Sequence, residues 1–120
     1  MLLIERANPP FAGGWALPGG FVEEGERVLD AAARELDEET GVAASALELL
    51  GVYDTPGRDP RGWTISVVFV MLADVELDAT GADDARAARW FALDALPALA
   101  FDHAAVITDA VSCAARARRT

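Results

Sequence analysis

Lysine is absent from this 120-residue sequence: all ten basic residues are arginine, set against twenty acids, for a formal charge of −10. That balance excludes a nucleic-acid backbone as partner, because such binding draws most of its affinity from cationic side chains that neutralise phosphates. A small anionic molecule would be repelled too, unless divalent cations invert the local field. Cysteine is nearly absent as well. The single Cys113 can form neither an internal disulfide nor a thiolate metal cage, and it falls in an alanine-rich helical pattern that reads as packing. Long hydrophobic runs are missing. The longest, near Ile65 to Ala73, has the length of a strand and falls far short of a bilayer span, and Met1 to Ile4 is too short for a secretory signal. No membrane partner and a cytoplasmic location are therefore expected. The alanine-rich, lysine-free composition points to a GC-rich bacterial coding sequence, which concerns origin and not function.

What is present suits a single folded domain over residues 1–120, with 52% hydrophobic and 25% charged residues. Met1 to Arg6 reads as a strand. Asn8 to Gly20 holds three prolines and four glycines and is too broken for more than a short extended piece at Trp15 to Leu17. The spacing predicts a helix over Glu26 to Thr40, with Leu29, Ala32, Ala33 and Leu36 as its apolar stripe and Gly41 at its stop position. Leu47 to Tyr53 suits a strand, and Asp54 to Gly62 a loop. Trp63 to Ala73 reads as a long central strand with both faces buried, and Arg86 to Leu93 as another strand. Asp102 can cap a final helix running to about Arg116, with Val106, Ile107, Ala110, Val111 and Ala114 facing the core. Strands interleaved with two helices imply an α/β domain in which helices cover both faces of a small, mixed sheet.

The chemistry is concentrated on the first helix. At about 100° per residue, Glu35, Glu38 and Glu39 share one side of the cylinder, where like charges three and four residues apart cost the helix roughly 0.2–0.5 kcal/mol per pair. Ala31 and Ala32 border this arc and leave space beside it. An acidic helix is most often only a solvated face. Here, however, the carboxylates offer hard oxygen ligands for Mg²⁺ or Mn²⁺, ions that bridge acids to substrate phosphates and would also relieve the repulsion. Just ahead, Pro18, Gly19 and Gly20 form a turn whose backbone can approach a ligand without hindrance from a side chain.

The segment GFVEEGERVLDAAARELDEETGV, Gly20 to Val42, resembles the Nudix box at every constrained position: glycine, five residues, glutamate, seven residues, then Arg-Glu-aliphatic-any-Glu-Glu-any-Gly-aliphatic. The resemblance implies a Nudix-type α/β/α sandwich, with Glu35, Glu38 and Glu39 as metal ligands and catalytic carboxylates. It further implies that the carbonyl of Gly19 joins them, that Glu26 supports them, and that Arg34 holds the acidic cluster in place. Metal-assisted, in-line attack of water on a diphosphate is the implied reaction. Its base is Glu35 or Glu38, or a carboxylate outside the box, for which the Asp83–Asp84 pair is the candidate.

Further likeness to bacterial ADP-ribose pyrophosphatase-like members runs through RANPPFAGGWALPGGFVEEGE, YDTPGRDPRGWTISVVFV and ARWFALDALPALAFDH. Hydrolysis of ADP-ribose or a similar nucleoside diphosphate derivative is the leading expectation. The alternatives are a MutT-like pyrophosphohydrolase of oxidised nucleoside triphosphates and a non-catalytic ADP-ribose-sensing module. Pro56 lies where ADP-ribose enzymes tend to carry a proline, and Arg58 and Arg61 are candidates to reach a substrate phosphate or ribose. Trp15, Tyr53 and Trp63 are candidates for base stacking or for core, and His103 reads as a structural contact. Two departures stand out: Arg86, Ala87 and Ala88 occupy a stretch where relatives often carry an acid, and the strand that usually precedes the first one is missing. A homodimer that masks the resulting edge near Asn8 to Trp15 is expected.

Overall fold

The computed structural model describes residues 1–118, with the order β1 (Leu2–Arg6), β2 (Trp15–Ala16), α1 (Val28–Thr40), β3 (Glu48–Tyr53), β4 (Ser66–Val70), β5 (Ala85–Trp90) and α2 (His103–Arg118). The α/β class holds. The sheet is realised as two antiparallel ladders, β2-β1-β5 and β3-β4, with a single parallel bridge between Trp15 and Leu99.

β1 lies in the middle of its sheet, pairing Ile4 with Ala16 on one side and Leu2 with Trp90 on the other. Leu3 and Ile4, whose side chains point to opposite faces, are both buried, so this strand is covered above and below. The open edge expected at the N-terminus is therefore filled: β1 has a hydrogen-bonded neighbour on each side. The core around it is small. Ile4, Ala16, Ala85 and Ala100 cluster with Ala88 and Phe101, while α2 contributes the buried Val106 and Ile107.

Several boundaries shift for physical reasons. α1 starts at Val28 because Glu26 is used in a turn, its amide donating to the Glu23 carbonyl, and Arg27 is extended. It ends as the glycine predicts: Gly41 is left-handed, with φ 73°, and its N–H donates to the Asp37 carbonyl. The helix buries Ala31, Glu39 and Thr40, and the Leu29–Leu36 stripe is only half covered. Glu39 of the acidic arc, rather than the apolar stripe, is thus turned inward at this end, while Glu38 stays exposed. β5 starts one residue early and stops at Trp90. β4 is shorter than expected, since the chain ahead of it forms no ladder and Trp63 is 91% exposed. No helix among the described residues is long and apolar enough to cross a membrane.

Candidate active site

The Pro18–Gly20 turn is held from two directions. Upstream, the Ala100 amide donates to the Trp15 carbonyl, and His103 Nδ1 accepts from the Leu17 amide at 3.0 Å. Burial pushes the His103 imidazole down to about 4, so it is neutral and able to accept. Downstream, the turn rests on the carboxylates of α1. A Cβ at Gly20 would lie 2.5 Å from the Glu35 carboxyl carbon, so the backbone passes directly over this carboxylate and a side chain here would push the Glu35 carboxylate aside. The Gly19 contact is with its amide, which donates to Glu39 Oε2 at 3.4 Å, where the sequence had suggested the carbonyl.

Arg34 organises the acids. Its Nε bonds Glu26 Oε2 at 2.8 Å and one terminal nitrogen bonds Glu26 Oε1 at 3.0 Å; the other reaches Glu35 at 2.8 Å and Glu38 at 3.1 Å. It also donates to the Phe21 carbonyl, which ties the loop to the helix. The Glu26 contact in particular holds the guanidinium well above its ordinary pKa, and Arg34 in turn lowers that of Glu26. Among the described residues Glu39 has no ion-pair partner. Buried at 5% exposure, with Glu35 and Asp84 nearby, it is pushed up to about 8, desolvation being the main cause.

This donor set fits a hard divalent cation: a desolvated carboxylate crowded by a second one, with hard oxygens and no side-chain cation on Glu39. Among the described residues no three acids converge into a ready-made metal cluster, because Arg34 draws Glu35 and Glu38 to itself. Ligation by Glu35, Glu38 and Glu39 accordingly requires the two outer carboxylates to turn away from the guanidinium.

The segment before β5 is pinned to the same end of α1, with the Thr80 amide donating to the Thr40 carbonyl and the Ala82 amide to the Glu39 carbonyl. This places Asp84 where its charge acts on Glu39, and its carboxylate accepts from Asn8 Nδ2 at 3.4 Å. Asp83 takes the left-handed turn position, with φ 56°.

The loop arginines are occupied. Arg58, with a side chain only 6% exposed, makes a two-pronged ion pair with Asp102 and donates to Ser66. Asp102 is therefore committed to Arg58, and its carboxylate does not cap α2 as expected; only its backbone carbonyl serves there. Arg61 pairs with the buried Asp59 and stacks over Phe21 and Phe101, each about 5.3 Å away, so it links the β3–β4 connection to the glycine turn. Of the three aromatic candidates, Trp15 packs edge-on to Phe91 and Tyr53 bonds Asp109. Trp63 and Pro56 border a groove of about 270 Å³, and the Thr64 hydroxyl, buried beside it, has no partner among the described residues.

Sequence reasoning missed the Gly20–Glu35 contact, and it read His103 as a structural contact without identifying Leu17 as its partner. The paired glycines were the available signal for the first; the second joins residues 86 positions apart and left none.

A helix that gathers a buried Glu39 beside the arginine-braced Glu35 and Glu38, beneath a glycine turn, defines a class of acid-lined sites suited to hard cations. The description of the NUDIX domain matches residues 1–110, and the chain belongs to that family. It is 54% identical over 110 residues to an ADP-ribose pyrophosphatase of Methanocaldococcus jannaschii, covering 91% of this chain and 64% of that one. Less than two thirds of that relative's length is thus spanned. Among solved structures, the Nudix domain of Shewanella oneidensis NrtR complexed with ADP ribose superposes with a TM-score of 0.81 at 32% identity, over 99% of this chain and 77% of that one. A bifunctional NMN adenylyltransferase/ADP ribose pyrophosphatase from Francisella tularensis, complexed with AMP and a manganese ion, gives 0.78 at 33% identity, over 89% and 36%.

Proposed function

We propose that this chain hydrolyses the diphosphate linkage of a nucleoside diphosphate derivative, ADP-ribose or a near analogue, to a mononucleotide and a phosphorylated remainder. The observation that carries this reading is the buried Glu39 beside Glu35 beneath the Gly19–Gly20 turn, an arrangement unfavourable by itself and suited to a cation-bridged diphosphate. Similarity to the archaeal pyrophosphatase supports the substrate class.

In this reading Glu35, Glu38 and Glu39 hold Mg²⁺ or Mn²⁺, which when bound neutralises the diphosphate and acidifies the attacking water. Arg34 would stay anchored on Glu26 through two hydrogen bonds while Glu35 and Glu38 turn from it toward the metal. Gly20 lets the loop lie directly on Glu35. Asp84, pinned near Glu39 through the Ala82 contact, is the better placed of the Asp83–Asp84 pair to accept the water's proton. The nucleoside end enters the groove lined by Pro56 and Trp63.

A substrate panel with Mg²⁺ and with Mn²⁺, scored by product, tests this. AMP with a phosphorylated sugar supports the proposal, and free pyrophosphate from oxidised triphosphates would replace it with the MutT-like reading. The complex of the NrtR domain with ADP ribose motivates a sensing alternative, whose mark is tight binding of ADP-ribose without turnover.

A further inference from the structure

Two arginines of the β3–β4 connection reach opposite flanks of the Pro18–Gly20 turn. On the upstream flank, Arg58 forks onto Asp102, the residue before the His103 that accepts the Leu17 amide. On the downstream flank, Arg61 lies over the ring of Phe21, and it also covers Phe101. Phe21 follows Gly20 directly, and its carbonyl accepts from the same Arg34 that bonds Glu35 and Glu38.

Asp59 fixes where Arg61 points. Its carboxylate, buried at 7% exposure, accepts the Arg61 amide at 2.9 Å, Nε at 3.0 and 3.2 Å, and a terminal nitrogen at 2.7 Å. Partners so near in sequence close only a minimal loop, and Arg61 remains 43% exposed, so the pair adds little to stability. What it does is hold a planar guanidinium in one orientation. Phe21, at 66% exposure, has too little packing to fix its ring without that cover. A phosphate contact is the other use of a loop arginine, but here Nε and one terminal nitrogen are already taken by Asp59.

We propose that Asp59 and Arg61 are a positioning pair for the carboxylate site: Arg61 holds Phe21 and, through it, the Gly20 backbone over Glu35. The kinetic consequence rests on the hydrolysis proposed above; the structural one does not.

Hydrogen exchange of the metal-free chain reads the positioning at the Gly19 amide, which donates to Glu39. Arg61→Ala should speed that exchange about fivefold with an unchanged urea midpoint, a local opening and not a global one. Mn²⁺ titration of the same variant without substrate should show binding weakened about threefold or more. With ADP-ribose, kcat should fall about tenfold while KM changes less than about twofold, the mark of a displaced catalytic group. Phe21→Ala removes the same contact from its exposed side and should reproduce each effect, and the double variant should be no worse than either single one. If Arg61→Ala does not fold, Phe21→Ala carries the test alone. Unchanged Gly19 exchange and Mn²⁺ affinity overturn the proposal. A raised KM with kcat kept also overturns it and places Arg61 on the substrate. Faster Gly19 exchange and weaker Mn²⁺ binding in a chain that cleaves no diphosphate support the positioning role and overturn the hydrolytic reading instead.

Discussion

Protonating His103 should loosen the molecule. Its Nδ1 accepts the Leu17 amide at 3.0 Å, and an imidazolium would point an N–H at an N–H. Burial opposes the charge first, and the nearby Arg58 and Arg6 add to this against the opposite pull of Asp102, so the folded pKa lies at about 4 against an ordinary 6.5. Between these two values the unfolded chain takes up a proton that the folded chain refuses. The contribution is complete above pH 6.5 and is lost as the pH falls toward 4. At about 1.4 kcal/mol per unit, moving from neutral pH to pH 5 should remove on the order of 2 kcal/mol. Urea unfolding at the two pH values, for wild type and for His103→Asn, isolates the effect. The amide oxygen of asparagine can stand in for Nδ1 without titrating, so the other groups cancel in the difference. Glu39 is the important one to cancel: its raised pKa gives it the opposite slope, with stability lost as the pH rises through about 8. Equal pH dependence in the two proteins would refute the reasoning.

Glu38→Gln and Glu39→Gln should each lower turnover at least about a hundredfold by steady-state assay, because amides are poor ligands for hard cations. Above about pH 8, where Glu39 is ionised, the Glu39 variant should also melt no lower than wild type, since it removes a buried charge. Chelator should abolish hydrolysis while leaving the circular-dichroism melt nearly unchanged; collapse of the fold would mean a structural ion. Gly20→Ala should displace the Glu35 carboxylate and cut kcat strongly, and wild-type kinetics in this variant would place the turn elsewhere. Arg58→Ala should cost about 3 kcal/mol in denaturant unfolding by stranding Asp102. A raised KM with unchanged stability would instead return Arg58 to the substrate.

The constrained spacing of Gly20 to Val42 made the helix, its glycine stop and its carboxylate arc legible, because these depend on residues within a few turns of one another. Which side of the helix turns inward was not legible. Leu29 and Leu36 form the obvious apolar stripe, yet Ala31, Glu39 and Thr40 are buried, because the glycine turn and the segment before β5 dock on that side. The protein partners of the loop arginines were not legible for a related reason. Arg58 meets Asp102 across 44 positions, and a loop arginine reads the same whether its partner is phosphate or protein. Trp63 and Ile65 were taken as buried because alternation and hydrophobicity show that two faces are apolar, not whether a layer exists to cover both.

The amides of Thr80 and Ala82 fasten the approach to β5 onto the last carbonyls of α1, and Trp90 Nε1 fastens Leu77 to the strand itself. The exposed stretch around Asp74 and Val75 therefore lies outside every one of these clasps. Its length is free to drift without moving Asp84 relative to Glu39, since each doubling of a flexible loop costs only about 0.6 kcal/mol in closure entropy. That makes it the natural place to graft a tag, a fluorophore or a second domain, and the stretch where descendants of this gene would first differ in length.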